Sequence, residues 1–271
     1  MTAAAPPRVG VFLAGVQKGG TTALYEHLAE HPSLAGPRVK ETHHFDNESL
    51  DWTQDQSDAL DAYYDATAEG RMRFDATPIT LYWPPALPRL HAYNPAAKLI
   101  VLFRDPIERA YSHWRMEVAR GTEPLSFADA IRSGRERLHP DRPLDAHWRD
   151  HSYVERGFYG AQLTRALSLF PRSQMLLLLS EDFHGDHRRV LEEIAAFLGI
   201  SAFGDVPPRI ANQAVSVPYL PPISSADRNL LRAIFAADMA VFAKLSGLDI
   251  GRWSVSQAPG EGRGSADCHG F

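Results

Sequence analysis

Cysteine is almost missing from this chain. Its 271 residues include one cysteine, Cys268, so no disulfide can form within the chain. A small secreted domain held together by disulfides is therefore excluded, and a chain of this length can bury enough apolar surface to fold without them. A lone cysteine suits a reducing compartment, so we expect the protein to be cytoplasmic.

Long apolar runs and an excess of positive charge are missing too. The first apolar run, Val9–Val16, is too short and too closely bounded by glycine for a signal peptide or a membrane span, so we expect no membrane partner. With 28 basic and 33 acidic residues the net charge is −5, so no overall positive field attracts nucleic acid. The lysines number only four: Lys18, Lys40, Lys98 and Lys244.

Three nearly continuous apolar runs predict buried strands, and proline ends a weaker fourth candidate. The four are Val9–Val16, Lys98–Arg104, Met175–Asp182 and, as the weakest, Arg71–Pro78. Runs that lack polar alternation are typical of parallel strands covered by helices on both faces.

Stretches with the apolar spacing of helices lie between these runs. They are Thr22–His31, Pro106–Arg120, Phe158–Phe170, His187–Leu198 and Ser225–Leu245. Because strands and helices alternate, we expect an α/β fold with a central, mainly parallel sheet flanked by helices. We predict a single domain over residues 1–253, with the polar region 121–151 as a lid or insertion, and a disordered tail over residues 254–271.

A glycine-rich turn joins the first predicted strand to the first helix and reads GVQKGGTT over residues 15–22. Backbone N–H groups in such a turn point at an anion near the positive end of the helix dipole. Lys18 adds a charge, and Thr21 and Thr22 add hydroxyl donors. The outer glycines are spaced as in an ATP-binding P-loop, but Thr21 stands where its lysine belongs, which argues against ATP hydrolysis. The simpler alternative is a glycine turn with an incidental lysine.

A second anion-binding pattern follows the second main strand. Arg104 ends the strand Lys98–Arg104, and Ser112 lies eight residues later in the next helix, so both can face the carboxyl end of the strand. The planar donors of arginine and a serine hydroxyl could hold a second phosphate there. The alternative is a local ion pair of Arg104 with Asp105 or Glu108.

Acidic and imidazole side chains come together in the segment VKETHHFD, residues 39–46. Glu41 and His43 can point to one face of an extended chain, where a carboxylate could act as a general base. Two alternatives stay open. His43 and His44 could be metal ligands, although no third ligand stands at metal spacing nearby, and the segment could be an ordinary surface loop.

The glycine turn resembles the first signature of the sulfotransferases that use 3′-phosphoadenosine 5′-phosphosulfate (PAPS). That signature is a strand, a G-x-x-K-x-G-T-T turn and a helix ending in His-Pro, and this chain reads GVQKGGTTALYEHLAEHP. A second family motif, R-D-P-x-x-R-x-x-S, is matched by Arg104, Asp105, Pro106, Arg109 and Ser112. The resemblance spans Val9 to Trp253 and is nearest to the branch of the heparan sulfate N- and 3-O-sulfotransferases, which has many bacterial members.

The resemblance implies a sulfotransferase fold, similar in outline to P-loop kinases, and a set of donor-binding residues. The residues that would bind the 5′-phosphate end of PAPS are Lys18, Gly19, Gly20, Thr21 and Thr22. Lys18 would also stabilise the charge that develops on the leaving oxygen. Arg104 and Ser112 would hold the 3′-phosphate, and Arg109 would brace the fold.

The resemblance also implies roles on the acceptor side. The family segment Glu-x-His-x-x-Asp is matched by Glu41, His43 and Asp46. Glu41 would be the general base, His43 a supporting catalytic or substrate-binding residue, and Asp46 and Thr77 further members of the acceptor pocket. No metal is implied, because the protein supplies the cations.

The chain departs from the family pattern at two places. Ala76 stands where heparan-type members carry a lysine before Thr-Pro. The late loop, residues 212–222, has no cation over the donor phosphate, so Arg209 or Arg156 would have to replace it. The disulfide of secreted relatives is missing as well, which suits a bacterial intracellular enzyme.

From these features we expect transfer of a sulfuryl group from PAPS to a hydroxyl, less readily an amine, of a small molecule or carbohydrate. The transfer would be an in-line displacement with Glu41 as general base. Two alternatives are an ATP- and magnesium-dependent phosphotransferase and a nucleotide-binding module without catalysis. His113 is a further acceptor-site candidate, and four aromatic residues hint at an aromatic-lined pocket: Phe45, Tyr82, Trp83 and Trp114.

Overall fold

A five-stranded parallel sheet lies at the centre of the fold. The computed structural model describes residues 8–65, 70–138, 144–209 and 220–257. The strands are β1 (Val11–Gly15), β2 (Leu34–Ala35), β3 (Met72–Asp75), β4 (Lys98–Phe103) and β5 (Met175–Leu179). They are arranged in the order β2-β3-β1-β4-β5, and every neighbouring pair is parallel. The expected α/β class with a parallel sheet flanked by helices is confirmed.

Ten helices connect and flank the strands within the described part of the chain. They are α1 (Thr21–Glu30), α2 (Ser57–Asp61), α3 (Ala86–Tyr93), α4 (Pro106–Arg120), α5 (Phe127–Ala130), α6 (Ala146–Asp150), α7 (Tyr159–Leu167), α8 (Ser180–Gly185), α9 (His187–Leu198) and α10 (Ser225–Ser246). Single 3₁₀ turns occur at Ser133–Arg137, Glu155–Gly157, Arg172–Gln174 and Ser254–Ser256. Over the residues that the structure covers, no helix has the length and apolar character needed to cross a membrane.

The chain divides into two compact units, residues 1–103 with 162–211, and residues 104–161 with 212–271. The first unit contains the entire sheet. Its core forms because the strands carry uninterrupted leucine, valine and isoleucine, and α1, α8 and α9 add apolar side chains to the same cluster. The single-domain boundaries drawn from the sequence stay a prediction.

Aromatic packing holds the second unit together. The rings of Phe242 on α10 and Trp253 stack with centroids 5.8 Å apart, and Tyr159 meets Phe242 at 5.6 Å. Asp238 of α10 accepts hydrogen bonds from the backbone N–H groups of Gly160 and Ala161, at 2.7 and 2.8 Å, which caps the start of α7.

Two predicted segments of this unit are only partly described. The predicted lid, residues 121–151, contains α5, one 3₁₀ turn and α6. The predicted tail starts with the turn Ser254–Ser256, where the Ser254 hydroxyl donates to Asp105 at 2.6 Å, and residues 258–271 lie outside the described part. The roles of a lid and a disordered tail therefore remain predictions.

All four predicted strands are shorter in the structure than the apolar runs that indicate them. The segment Met175–Asp182 is a strand only as far as Leu179, and α8 begins at Ser180. The physical reason is the polar sequence Ser-Glu-Asp, since acidic residues in a first turn stabilise the positive end of a helix.

Candidate functional site

The connection between β1 and α1, residues 15–22, forms a tight loop that we call the phosphate loop. Gly19 lies so close to β4 that a Cβ atom on it would be 2.4 Å from the backbone oxygen of Leu102. Only glycine fits there without displacing backbone. Gly20 has a φ of 93° and is the N-cap of α1, a left-handed conformation that glycine adopts at no steric cost. Lys18 also has a positive φ, of 71°.

The first turn of α1 is open to an anion. In the described structure no side chain caps this helix, and no acidic residue lies in its first turn. Helices α4, α5, α6, α9 and α10 are capped by an Asp or Ser side chain, whereas α2, α3 and α8, like α1, have no side-chain cap. Thr21 is buried and Thr22 is half-buried at the same end of the helix. Backbone donors and the helix dipole together make this loop an anion-binding site.

The sequence reasoning missed two residues beside this loop. Ser180 and His184 of α8 lie against Gly20, since a Cβ atom on that glycine would be 3.3 Å from Cε1 of His184 and 3.6 Å from the Ser180 hydroxyl oxygen. Nδ1 of His184 is 2.6 Å from the backbone oxygen of Ser180. The sequence feature that indicates them is the polar Ser-Glu-Asp run after a predicted parallel strand, because ligands bind at the carboxyl ends of such strands.

The segment of residues 39–46, which we call the acceptor segment, brings three of the predicted residues together. Nδ1 of His43 is 2.8 Å from Oδ2 of Asp46, and Nε2 of His43 is 3.6 Å from Oε2 of Glu41. Lys40 forms an ion pair with the other oxygen of Glu41. The Asp46 side chain is fully buried, whereas Glu41 and His43 are 34% and 47% exposed, so a buried carboxylate orients an accessible imidazole beside an accessible carboxylate.

The backbone of the acceptor segment is unusual. Glu41 has a φ of 64° and His43 a φ of 50°. Together with Lys18 they are all of the non-glycine residues with positive φ in the described residues. Such conformations cost about 1–2 kcal/mol each and cluster at functional sites.

The end of β3 lies beneath the acceptor segment. Asp75, the last residue of that strand, is buried, and its Oδ1 atom has no hydrogen-bond partner among the described residues. The backbone N–H of His43 donates to Oγ1 of Thr77, at 3.4 Å. Burial is the largest influence on Asp75 and raises its pKa, while the nearby donors of Thr77 and Thr42 oppose the rise.

His44 takes no part in this cluster. Its ring lies edge-on to Phe45 at 4.8 Å and to Trp52 at 5.3 Å, and burial lowers its pKa to about 4. Among the described residues no group of three or more His, Cys, Asp or Glu side chains is arranged to hold a metal ion. His44 is thus a packing residue.

The four aromatic residues that hint at a pocket lining are buried: Phe45, Tyr82, Trp83 and Trp114. Phe45 also lines a cavity together with His44 and Trp52. Phe45 packs against Phe12 with ring centroids 5.7 Å apart, and Trp83 donates to Glu48 at 2.7 Å. Ala76 is also fully buried, within the apolar cluster of the first unit. Burial of these large surfaces stabilises the fold, and the aromatic-lined pocket stays a prediction.

The second motif lies in the other unit. Arg104 directly follows β4, and Ser112 lies on α4, where both are half-buried. Asp105 caps α4 by accepting from the Ile107 N–H at 2.9 Å. Arg109 is fully buried and donates to the backbone oxygen of Tyr153, as a residue that braces the fold does.

Three weaker candidates remain: His113 for the acceptor site, and Arg156 and Arg209 as replacements for the missing late-loop cation. His113 is fully buried, edge-on to Tyr153 at 4.8 Å, so it cannot meet an acceptor from solvent. Arg156 is buried and donates to the Ser152 hydroxyl at 2.8 Å.

Arg209, the other suggested replacement for the missing late-loop cation, pairs with two acidic residues of α1, Glu26 and Glu30. Most of the late loop itself, residues 212–219, lies outside the described part of the chain.

Comparison with known proteins was made for sequence and for structure. The family model described as "Sulfotransferase domain" matches residues 9–215. Heparan sulfate glucosamine 3-O-sulfotransferase 6 of Homo sapiens is 31% identical over 193 residues, which cover 70% of this chain and 52% of that protein. Heparan sulfate glucosamine 3-O-sulfotransferase 3A1 of Mus musculus is 30% identical over 192 residues, covering 70% of this chain and 45% of that protein.

A solved structure agrees with these sequence matches. The crystal structure of a sulfotransferase from Alicyclobacillus acidocaldarius superposes with a TM-score of 0.74 and 28% identity, covering 92% of this chain and 99% of that one. The chain spans about half the length of these two curated relatives, with 52% and 45% of their sequences covered.

Proposed function

The chain belongs to the sulfotransferase family, and on that premise we propose that it transfers a sulfuryl group from PAPS to an acceptor hydroxyl. An amine is a less favoured acceptor. The observation that carries the donor side is the phosphate loop, where Gly19 admits no side chain and the first turn of α1 carries neither cap nor acid. A sulfated or phosphorylated nucleotide suits such a loop because its oxygens accept from backbone N–H groups.

The phosphate loop supplies the electrostatic part of the reaction. The loop amides, Gly20, Thr21 and Thr22 hold the 5′-phosphate, and Lys18 stabilises the negative charge that builds on the bridging oxygen as the sulfur–oxygen bond breaks. Arg104 and Ser112 hold the 3′-phosphate, an assignment that rests on their match to the family motif. The protein's own cations serve this chemistry, so the proposal includes no metal.

The acceptor segment supplies the proton transfer. Glu41 takes the proton of the acceptor hydroxyl as the oxygen attacks sulfur in line. Asp46 holds His43 through the 2.8 Å contact, and His43 and Thr77 bind the acceptor beside Glu41. The 3-O-sulfotransferase names of the relatives favour a sugar hydroxyl, and a small-molecule acceptor is the other candidate.

The proposed reaction takes place in the cytoplasm. The single cysteine, Cys268, supports a reducing compartment, since it leaves the chain without an internal disulfide.

Calorimetric titration with 3′,5′-diphosphoadenosine (PAP) in the absence of metal tests the donor assignment. We expect micromolar binding, and we expect Arg104→Ala to weaken it about tenfold to a hundredfold because a charged hydrogen-bond donor is lost. Arg120→Ala is the matched control, since Arg120 ends α4 and pairs with Glu117. Its PAP affinity should equal that of the unchanged protein.

Two outcomes would replace the proposal. Binding of ATP with magnesium but not of PAP would make the protein a phosphotransferase. Binding of PAP without transfer of labelled sulfate from PAPS to oligosaccharide, phenol or amine acceptors would leave a nucleotide-binding module.

A further inference from the structure

Two histidines of the second unit face each other across one helical turn. His147 lies on α6, and His151, four positions later, is the C-cap residue of the same helix. Their Nδ1 atoms lie 3.0 Å apart, and the two ring planes are inclined by 35°. Residues four positions apart lie on the same side of a helix, so each imidazole can turn one nitrogen toward the same point. Imidazole nitrogens that converge on one point are ligands for a transition-metal ion.

The other nitrogen of His151 shows where the proton of this ring lies. Nε2 of His151 is 3.2 Å from the backbone oxygen of Thr122. A carbonyl oxygen only accepts, so Nε2 carries the proton, and the lone pair of the neutral ring is on Nδ1, which faces His147. Metal-binding histidines have this arrangement, with one ring N–H donated to a carbonyl and the other nitrogen on the metal. His151 is buried and so held in orientation, whereas His147 is exposed to ions from solvent.

The separation of the two Nδ1 atoms fits a metal ion between them. Two nitrogens at a metal distance of about 2.0–2.1 Å lie about 2.9 Å apart at a right angle and about 3.3 Å apart at a tetrahedral angle. The separation of 3.0 Å lies within that range. A direct N–H···N hydrogen bond has a similar length and is the alternative.

The four-residue spacing alone does not produce such a pair. His27 and His31 have the same spacing on α1, and His31 is likewise the C-cap of its helix. Both nitrogens of His31 are engaged elsewhere, however. Nε2 is 3.0 Å from the backbone oxygen of Ser201, and Nδ1 accepts from the backbone N–H of Ser33 at 3.2 Å. The convergence of two ring nitrogens is therefore a particular feature of His147 and His151.

We propose that His147 and His151 form a binding site for a divalent transition metal such as zinc, held by Nδ1 of both rings. As the metal binds, the proton on Nδ1 of His147 moves through solvent to Nε2 of the same ring, so both rings stay neutral. Two protein ligands leave coordination positions for water or a further ligand, which makes the site open. Because His151 also donates to Thr122, two residues beyond α4, the metal would tie α6 to the end of α4. The site is independent of the proposed sulfuryl transfer, which uses no metal.

Calorimetric titration with zinc chloride tests the site, on the full chain purified without a histidine tag. We expect His147→Gln and His151→Gln each to weaken zinc binding at least about tenfold, since a protein ligand is lost. His91→Gln is the matched control, because His91 also lies on a helix but packs edge-on against Phe170. Its zinc affinity should equal that of the unchanged protein. Magnesium chloride should give no binding at this site, because magnesium prefers oxygen ligands.

Thermal unfolding separates loss of the site from loss of the fold. A metal that binds the folded state raises the Tm, so zinc should raise the Tm of the unchanged protein and not that of His147→Gln. Since His147 is exposed, its replacement should leave the Tm without zinc unchanged. A loss of zinc affinity in that variant then reports on the ligand itself.

Other groups that could bind zinc are examined in the same way. His43→Gln and Cys268→Ser should keep the zinc affinity of the unchanged protein. Loss of binding in either of them, with binding retained in His147→Gln and His151→Gln, would overturn the proposal. Absence of zinc binding by the unchanged protein would overturn it too, as would magnesium binding as tight as that of zinc. The 3.0 Å contact would then be a hydrogen bond between the two rings.

Discussion

The phosphate loop and the acceptor segment both carry proposed reactive side chains on a fixed backbone. They differ in what fixes that backbone. The phosphate loop is shaped by glycine, since Gly19 touches Leu102 and Gly20 adopts a left-handed φ without strain. The acceptor segment adopts left-handed φ values at residues that have side chains, and the contacts of His43 with Asp46 and Thr77 hold it there. Local sequence shapes the first, and distant residues shape the second.

The strongest test of this contrast is Gly19→Ala. The added methyl group would meet the Leu102 backbone oxygen, which cannot move without displacing β4, so we expect PAP binding to fall below detection. Calorimetry measures it. Gly10→Ala is the control, because its added Cβ would only reach ordinary contact with Met72, at 3.8 Å. Full PAP affinity in Gly19→Ala would show that the loop is not held against β4.

A second test compares Lys18→Ala, which removes a positive charge, with Glu41→Gln, which removes the proposed base. We expect Lys18→Ala to lower kcat about 10²- to 10³-fold, since a positioned charge on the leaving oxygen is lost. Glu41→Gln should lower kcat by about 10²- to 10⁴-fold through loss of the base while PAP affinity stays unchanged. Steady-state assays with labelled PAPS and calorimetry measure both. Near-full activity in either variant would refute that residue's role.

The smallest expected effect is a loss of folding stability at acidic pH. The pKa of His44 is about 4 in the folded protein and 6.5 without burial, so the unfolded chain binds the proton first as the pH falls. The stabilisation is complete above pH 6.5 and is lost progressively toward pH 4. We expect His44 to reduce the free energy of unfolding by about 2 kcal/mol between pH 7 and pH 5.

Urea unfolding at both pH values measures this, with His44→Gln as the comparison. The pH dependence of the variant should be flatter by that amount. An unchanged pH dependence would mean that His44 is hydrated in the native state and that packing around Trp52 does not support the acceptor segment.

The sequence predicts the elements whose signals are local. Helix α4 begins at Pro106 and ends at Arg120, and α9 runs from His187 to Leu198, both as predicted, because a proline or an aspartate cap marks each start and a glycine follows each end. The glycine spacing likewise indicates the phosphate loop. A family pattern predicts Glu41, His43 and Asp46 as site residues, and the structure places His43 within contact of both carboxylates.

Long-range features could not be predicted in this way. His43 and Thr77 are 34 positions apart, and no local pattern shows that they meet. Composition cannot distinguish a ring in the core from a ring that lines a pocket, and the four aromatic residues that hint at a pocket are buried. Ser180 and His184 reach the phosphate loop only through the order of the strands.

The left-handed backbone at positions 41 and 43 also sets stability against activity. Glycine at either position would relieve about 1–2 kcal/mol of conformational strain. The same substitution would remove the side chain that the proposed chemistry uses, so we expect stability to rise as activity falls.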